Sequence, residues 1–180
     1  MDVSVIDRDR RPVRGLKAED FTVIENGKPQ RIVAFGDALS TVDDQGRALN
    51  TMGLPESNLY YYAGNFASQI AFRYGIRLKA APRSGNAVDW AQVTSTGGYS
   101  FAAPVADLRA TAEQINAFVA NGKPGANDMF IITAGTMDVF NAALKGEVVA
   151  KADMLALIEA MRRLADAGAT HRNIVYLMPP

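Results

Sequence analysis

Three polar side chains and one histidine are the residues of this 180-residue chain whose types and placing could do chemistry. Asp37 and Asp138 each follow a short apolar run, and two carboxylates brought together can hold a divalent cation through hard oxygen ligands. Placed at loop and helix starts, the same two would cap backbone N–H groups instead, and two carboxylates without a third ligand rarely make a metal site. Ser40 carries a hydroxyl that a neighbouring base could turn into a nucleophile. His171, the single histidine, is the one candidate base that titrates unperturbed near neutrality. It precedes an apolar stretch over 173–178, which as a strand would set it at the amino end of a sheet. The carboxyl ends would then lie roughly 20 Å away at ~3.3 Å per residue. Without that base, Ser40 reads as a loop serine and His171 as a surface residue. Tyr60, Tyr61 and Tyr62, with Phe66 and Phe72, suit either an apolar groove or the rim of a core. No metal and no cofactor is expected from these residues.

Composition narrows the classes further. Cysteine is absent, which excludes a disulfide framework, a thiolate metal site and a cysteine nucleophile together. Hydrophobic residues are 48% and charged residues 21%, a globular composition unlike that of disordered or collagen-like chains. Lys plus Arg is 19 and Asp plus Glu is 19, so no basic footprint invites nucleic acid or an anionic membrane. The opening Met1-Asp2-Val3 lacks the basic and apolar regions of an export signal, and no apolar run approaches the ~20 residues of a membrane span.

The elements that would position these residues follow from periodicity. Phe21 and Val23 alternate with polar residues, and Asn26-Gly27 supplies both positive-φ positions of a tight hairpin turn. A β-hairpin appendage is therefore expected over 1–30. From residue 31 strand alternates with helix: a strand over 32–35, a helix between 58 and 74, and a second strand ending before Gln92. Val105, Leu108, Ala112, Ile115 and Val119 form a helical stripe over 105–121, with Asn121-Gly122 as its C-cap. A buried strand over 129–133 comes next, then a helix whose core stripe is Met154, Ile158, Met161 and Ala165, then a strand over 173–178. This order predicts an α/β domain over 31–180, three α/β/α layers around a mostly parallel sheet. Ligands bind such sheets outside the carboxyl ends of the strands. That rule singles out Asp37, Ser40, Gly135 and Asp138 as the candidate binding residues.

Four stretches carry a resemblance. Ile32-Val33-Ala34-Phe35-Gly36-Asp37-Ala38-Leu39-Ser40 resembles the first block of the SGNH or GDSL hydrolases, in which a strand runs into Gly-Asp-Ser-Leu-Ser. Asp89-Trp90-Ala91-Gln92-Val93-Thr94-Ser95 is similar to the second block, and Thr133-Ala134-Gly135-Thr136-Met137-Asp138 to the third. Asn173 to Met178 with Pro179-Pro180 resembles the strand and double-proline turn of the family's bacterial secreted esterases. The resemblance implies an SGNH- or flavodoxin-like fold and an esterase or lipase ancestry with a small ester or acyl ligand. It does not carry the chemistry across. Ala38 stands at the nucleophile's place, Val93 and Thr94 at the oxyanion-holding glycine's, and Met137 at the oxyanion-holding asparagine's. The family's Asp-x-x-His block is expected beyond a further strand, past Pro180. Loss of the serine alone costs on the order of 10⁶ in kcat by analogy with other serine hydrolases, and loss of one oxyanion donor typically about 10²–10³. Ala38, Thr94 and Met137 are thus vestigial positions, and no catalytic set is intact.

A second resemblance covers residues 2–35. Val3-Ser4-Val5-Ile6-Asp7, Pro12-Val13-Arg14-Gly15-Leu16 and the stretch from Asp20 to Phe35 are similar to the β-rich segment preceding von Willebrand A-type domains in bacterial surface proteins. The two resemblances meet on residues 32–35 and ask that strand both to be a hairpin arm and to sit centrally between parallel neighbours. The expected compromise confines hairpin pairing to about 28–31. A join of this kind is what recombination or an artificially generated sequence produces. Three readings follow: an inactive SGNH-like ester hydrolase domain, a non-catalytic binding or interaction module, and a chimera without selected function. The 173–178 strand, with Ile174, Tyr176 and Met178 on one face, is expected to be an open edge through which copies self-associate. The family is commonly exported, but the sequence specifies no compartment.

Overall fold

A computed structural model of the chain describes residues 29–48 and 64–177. The hairpin expected at Asn26, the 1–30 appendage, the three tyrosines and Met178 lie outside the described residues. In chain order the elements are β1 (Arg31–Gly36), α1 (Phe66–Arg73), β2 (Leu78–Ala80), β3 (Arg83–Ser84), β4 (Ala87–Val88), β5 (Gly97–Ser100), α2 (Leu108–Asn121), β6 (Asp128–Thr133), α3 (Thr136–Lys145), α4 (Lys151–Asp166) and β7 (Ile174–Leu177). Five strands make one sheet in the order β2-β5-β1-β6-β7, every neighbouring pair parallel. β3 and β4 form a separate antiparallel pair.

β1 is central because its sequence allows it to be covered on both faces. All six of its residues are buried, as a parallel strand with two covered faces requires. Side chains alternate between faces at a period of two. Val33 and Phe35 join Phe130 and Ile132 of β6 on one side, under α2 and α4. Ile32 and Ala34 join Ile131 on the other, under α1. Helices therefore cover both faces of a mostly parallel sheet, giving three α/β/α layers. Phe35, Phe101, Phe118 and Phe130 interlock in the first layer, with Phe118 edge-on to Phe35 at 5.5 Å and to Phe101 at 5.4 Å, a geometry that suits ring quadrupoles.

The amino end of the sheet is closed by one side chain. Arg31, the first residue of β1, is buried and forms an ion pair with Asp128, the first residue of β6. Its guanidinium also donates to the carbonyls of Thr94 at 3.0 Å, Gly122 at 3.1 Å and Lys123 at 3.0 Å, and lies 5.1 Å from the centre of the Phe118 ring. Asp128 accepts a further bond from the Gly125 N–H at 2.8 Å.

Several sequence expectations shift in this frame. Arg31 runs in parallel register with Gly97 on one side and Asp128 on the other, so it is not part of an antiparallel hairpin arm; both edges of β1 are taken. The helix expected from 105 begins at Leu108, because Asp107 accepts the Ala110 N–H at 2.7 Å and caps it. Val105 is 74% exposed and outside the core stripe. Gly122 keeps an ordinary φ of −88°, and the left-handed residue is Lys123 at φ 48°. Gly122 is required for packing, since an added Cβ would overlap the Phe118 ring. In α4 the buried stripe is Leu157, Ala160 and Leu164; Met154 and Ile158, expected in the core, are 42% and 59% exposed.

Asp128→Ala strands a buried guanidinium, a defect that costs about 3–5 kcal/mol when one partner of a buried pair is removed. Urea unfolding should show that loss; a change below about 1 kcal/mol would contradict the role assigned to the pair.

Candidate functional site

The carboxyl ends of β1 and β6 meet in one turn. Gly36 has a φ of 120°, open to glycine but costly for other residues, and a Cβ there would overlap the Thr133 carbonyl. The Gln114 side chain of α2 clamps the same residue, accepting its N–H at 2.7 Å and donating to its carbonyl at 3.3 Å. The Asp37 N–H then donates to the Thr133 carbonyl at 3.1 Å. This tight exit from β1 is why a Gly-Asp pair follows the strand.

Asp37 is 2% exposed. Its Oδ1 accepts the Leu39 N–H and the Thr133 hydroxyl, each at 3.0 Å. Ser40 Oγ lies 2.9 Å from Thr133 Oγ1. A hydroxyl has one proton, and Thr133 Oγ1 directs it at two acceptors, Asp37 Oδ1 and Ser40 Oγ. The result is a buried chain from Ser40 through Thr133 to Asp37. Asp37 Oδ2 is buried without a donor among the described residues. Ser100 Oγ donates to the Ser40 carbonyl at 2.6 Å, and Asn65, the N-cap of α1, donates to the Thr41 carbonyl at 2.7 Å, fixing the rest of the turn. Ala38 is half-buried at the crest.

On the β6 side, Gly135 turns the chain at φ 104° into α3, whose first turn carries Met137 and Asp138. Asp138 Oδ2 accepts the Leu108 N–H at 2.9 Å, so it caps α2 across the turn. Burial raises its carboxyl above the ordinary range, the Leu108 N–H opposes that, and the Asp107 charge adds to it. Tyr176 of β7 is raised chiefly by burial and then by the charges of Asp138 and Asp37, which keeps its phenol protonated as a donor. Between α3, α4 and β7 opens a recess of about 430 Å³, lined among others by Leu108, Gly135, Val139, Met154, Ile158 and Tyr176.

The structure thus brings Asp37, Ser40, Gly135 and Asp138 to the carboxyl end of the sheet, with Ala38 and Met137 beside them. Ser40 has no exposed surface and is held by Thr133. Asp37 and Asp138 are each spent on backbone N–H groups, and the described residues contain no cluster of three or more His, Asp or Glu. His171 is exposed in a 3₁₀ turn just before β7, at the amino end. Thr94 does not belong to the site. Its segment precedes β5 rather than following a sheet strand, and its carbonyl accepts from Arg31 at the amino end, one strand length of roughly 20 Å from Ala38. The expectation of a strand ending before Gln92 placed Thr94 at a carboxyl end, whereas the sheet strand here, β5, follows it. Gly98 is a strand residue, its missing side chain allowing the Arg77 carbonyl to lie 2.6 Å from where a Cβ would stand. Thr133 and Gln114 were missed as well: a threonine ending an apolar run reads as strand, and one glutamine in an amphipathic helix carries no signal.

No protein-family model matches the chain, and no curated protein matches it.

Because the folded state holds the Asp138 proton more tightly, stability falls as pH rises from the ordinary carboxylate range through the raised value. Asn at this position keeps the acceptor without the charge. Asp138→Asn should therefore be more stable than the parent at neutral pH, with the gain vanishing in acid below the ordinary range. Thermal melts across pH check this, and a gain that persists in acid would contradict it.

Proposed function

We propose that the chain is an SGNH/GDSL-type ester hydrolase-like domain that does not turn over esters and holds a small ester or acyl ligand in the recess between α3, α4 and β7. One observation supports this most: the crest of the turn after β1, where the resemblance puts a nucleophile, carries Ala38, and the nearest hydroxyl, Ser40, is buried and hydrogen-bonded to Thr133. With no oxygen exposed at the crest there is nothing to attack an acyl carbon. Met137 offers no N–H from its side chain to a developing oxyanion. The recess itself is largely apolar, with the Tyr176 phenol as a donor that can meet an ester carbonyl, a combination typical of small-molecule sites. A non-catalytic interaction module is the second reading, supported by the apolar surface that α3 leaves exposed.

Purified protein should hydrolyse p-nitrophenyl acetate and butyrate no faster than a heat-denatured control. Ala38→Ser alone, and with Met137→Asn added, should stay inactive, since no base reaches position 38. A non-hydrolysable octyl ether or amide should bind by calorimetry, and Ile158→Trp, which fills the recess, should weaken that binding at least about tenfold. Turnover in the double variant that disappears on reverting position 38 would overturn the inactive reading. Binding unaffected by Ile158→Trp would overturn the recess as its location.

A further inference from the structure

α3 is a ten-residue helix with no buried residue. Helices this short draw most of their stability from packing an apolar face, and isolated ones are marginal in water. Yet α3 has such a face: Val139, Phe140 and Leu144 lie within about 140° of one another at 100° per residue and are 42%, 56% and 72% exposed. α4 continues it. Leu157 and Leu164 face the core, Met154 and Ile158 face the recess, and Leu155, half exposed, carries the apolar arc outward. Among the described residues ten large apolar side chains are exposed, and eight of them lie on α3, the loop after it, α4 and β7. Four of the eight, Val139 of α3, Met154 and Ile158 of α4 and Tyr176 of β7, line the same recess, so the three elements share one apolar surface there. β7 is the margin of this side, pairing among the described strands with β6 alone.

We propose that two copies of the chain associate through this face, related by a two-fold axis across α3. Area is the first reason. With large side chains presenting on the order of 200 Å² each, these eight at their fractional exposures leave roughly 900 Å² open, about the per-partner area of a standard specific interface. It also exceeds the largest apolar patch of a typical monomer, about 300–600 Å². Charge is the second reason. Nineteen basic and nineteen acidic residues leave no net charge to drive copies apart. A two-fold axis sets α3 antiparallel to its mate, so the dipoles oppose and Lys145 at one helix's last turn approaches the mate's first turn, where Asp138 stands. The pairing closes over the recess rather than filling it, and it does not rest on the ligand reading above.

The test is sedimentation velocity of the full chain across a wide concentration series. The parent should reach twice the 19.4 kDa chain mass. Phe140→Glu with Leu144→Glu, both on exposed positions, should raise the dimer dissociation constant at least about 100-fold, while Phe72→Glu, on α1 across the sheet, should leave it unchanged. Leu155→Cys, the sole thiol of that variant, should cross-link chain to chain with a short bismaleimide. A parent that stays monomeric throughout, a dimer indifferent to the α3 substitutions, or a monomer that instead partitions onto phosphatidylcholine vesicles would each overturn the proposal.

Discussion

The buried Arg31–Asp128 pair is the interaction on which the rest of the structure depends. Taking two charges out of water costs several kcal/mol per ion unless the geometry restores it. Here the guanidinium is surrounded by acceptors from four segments: β6, the segment before β5, the end of α2 and the loop after it. Asp128 supplies a carboxylate oxygen, and Thr94, Gly122 and Lys123 supply backbone carbonyls that need a donor. One side chain therefore fixes the stagger of β1, β5 and β6 at their amino ends, and the Phe118 ring beneath it ties that lock to the aromatic core.

With the amino ends locked, the register carries six residues along to the carboxyl ends, where Gly36 meets Thr133. The turn there is a glycine at positive φ followed by a buried aspartate, and its polar groups point inward. Thr133 bonds both Asp37 and Ser40, and Asp37 Oδ1 also takes a backbone N–H, so these groups hold the turn's shape, with Asp37 Oδ2 the one oxygen of the carboxylate left without a donor among the described residues. The half-buried crest residue, Ala38, has only a methyl group. What the site retains is shape: an apolar recess, a phenol held neutral by burial and two nearby carboxylates, and a helix start at Gly135.

Much of this was legible in the sequence because it rests on periodicity. The buried strands over 32–35 and 129–133 stand out as unbroken apolar runs, and alternation with helices dictates a parallel layered sheet. The carboxyl-end rule then located Asp37, Ser40, Gly135 and Asp138 from position alone. Three things were not legible, each for a physical reason. Gly98 sits in a strand for lack of a side chain, a contact between backbones that leaves no pattern, and the strand expected before Gln92 put Thr94 at the wrong end of the sheet. The apolar arc of α4 is wide enough to serve core and recess at once, so periodicity assigned Met154 and Ile158 to the core although Leu157, Ala160 and Leu164 seal it. Gln114 and Thr133 act through single long-range hydrogen bonds, which no local spacing encodes.

Stability should accordingly be distributed unevenly. β1 and β6 sit between two covered layers and are pinned at both ends, whereas α3 has no fully buried residue. Native-state amide hydrogen exchange reads this directly, since protected core strands open only with the whole molecule while weakly packed elements open by themselves. In the parent protein at low concentration, amides of β1 and β6 should exchange with the free energy of global unfolding and those of α3 through much smaller openings. β1 amides that exchange as readily as those of α3 would contradict the claim that the Arg31-locked centre organises the fold.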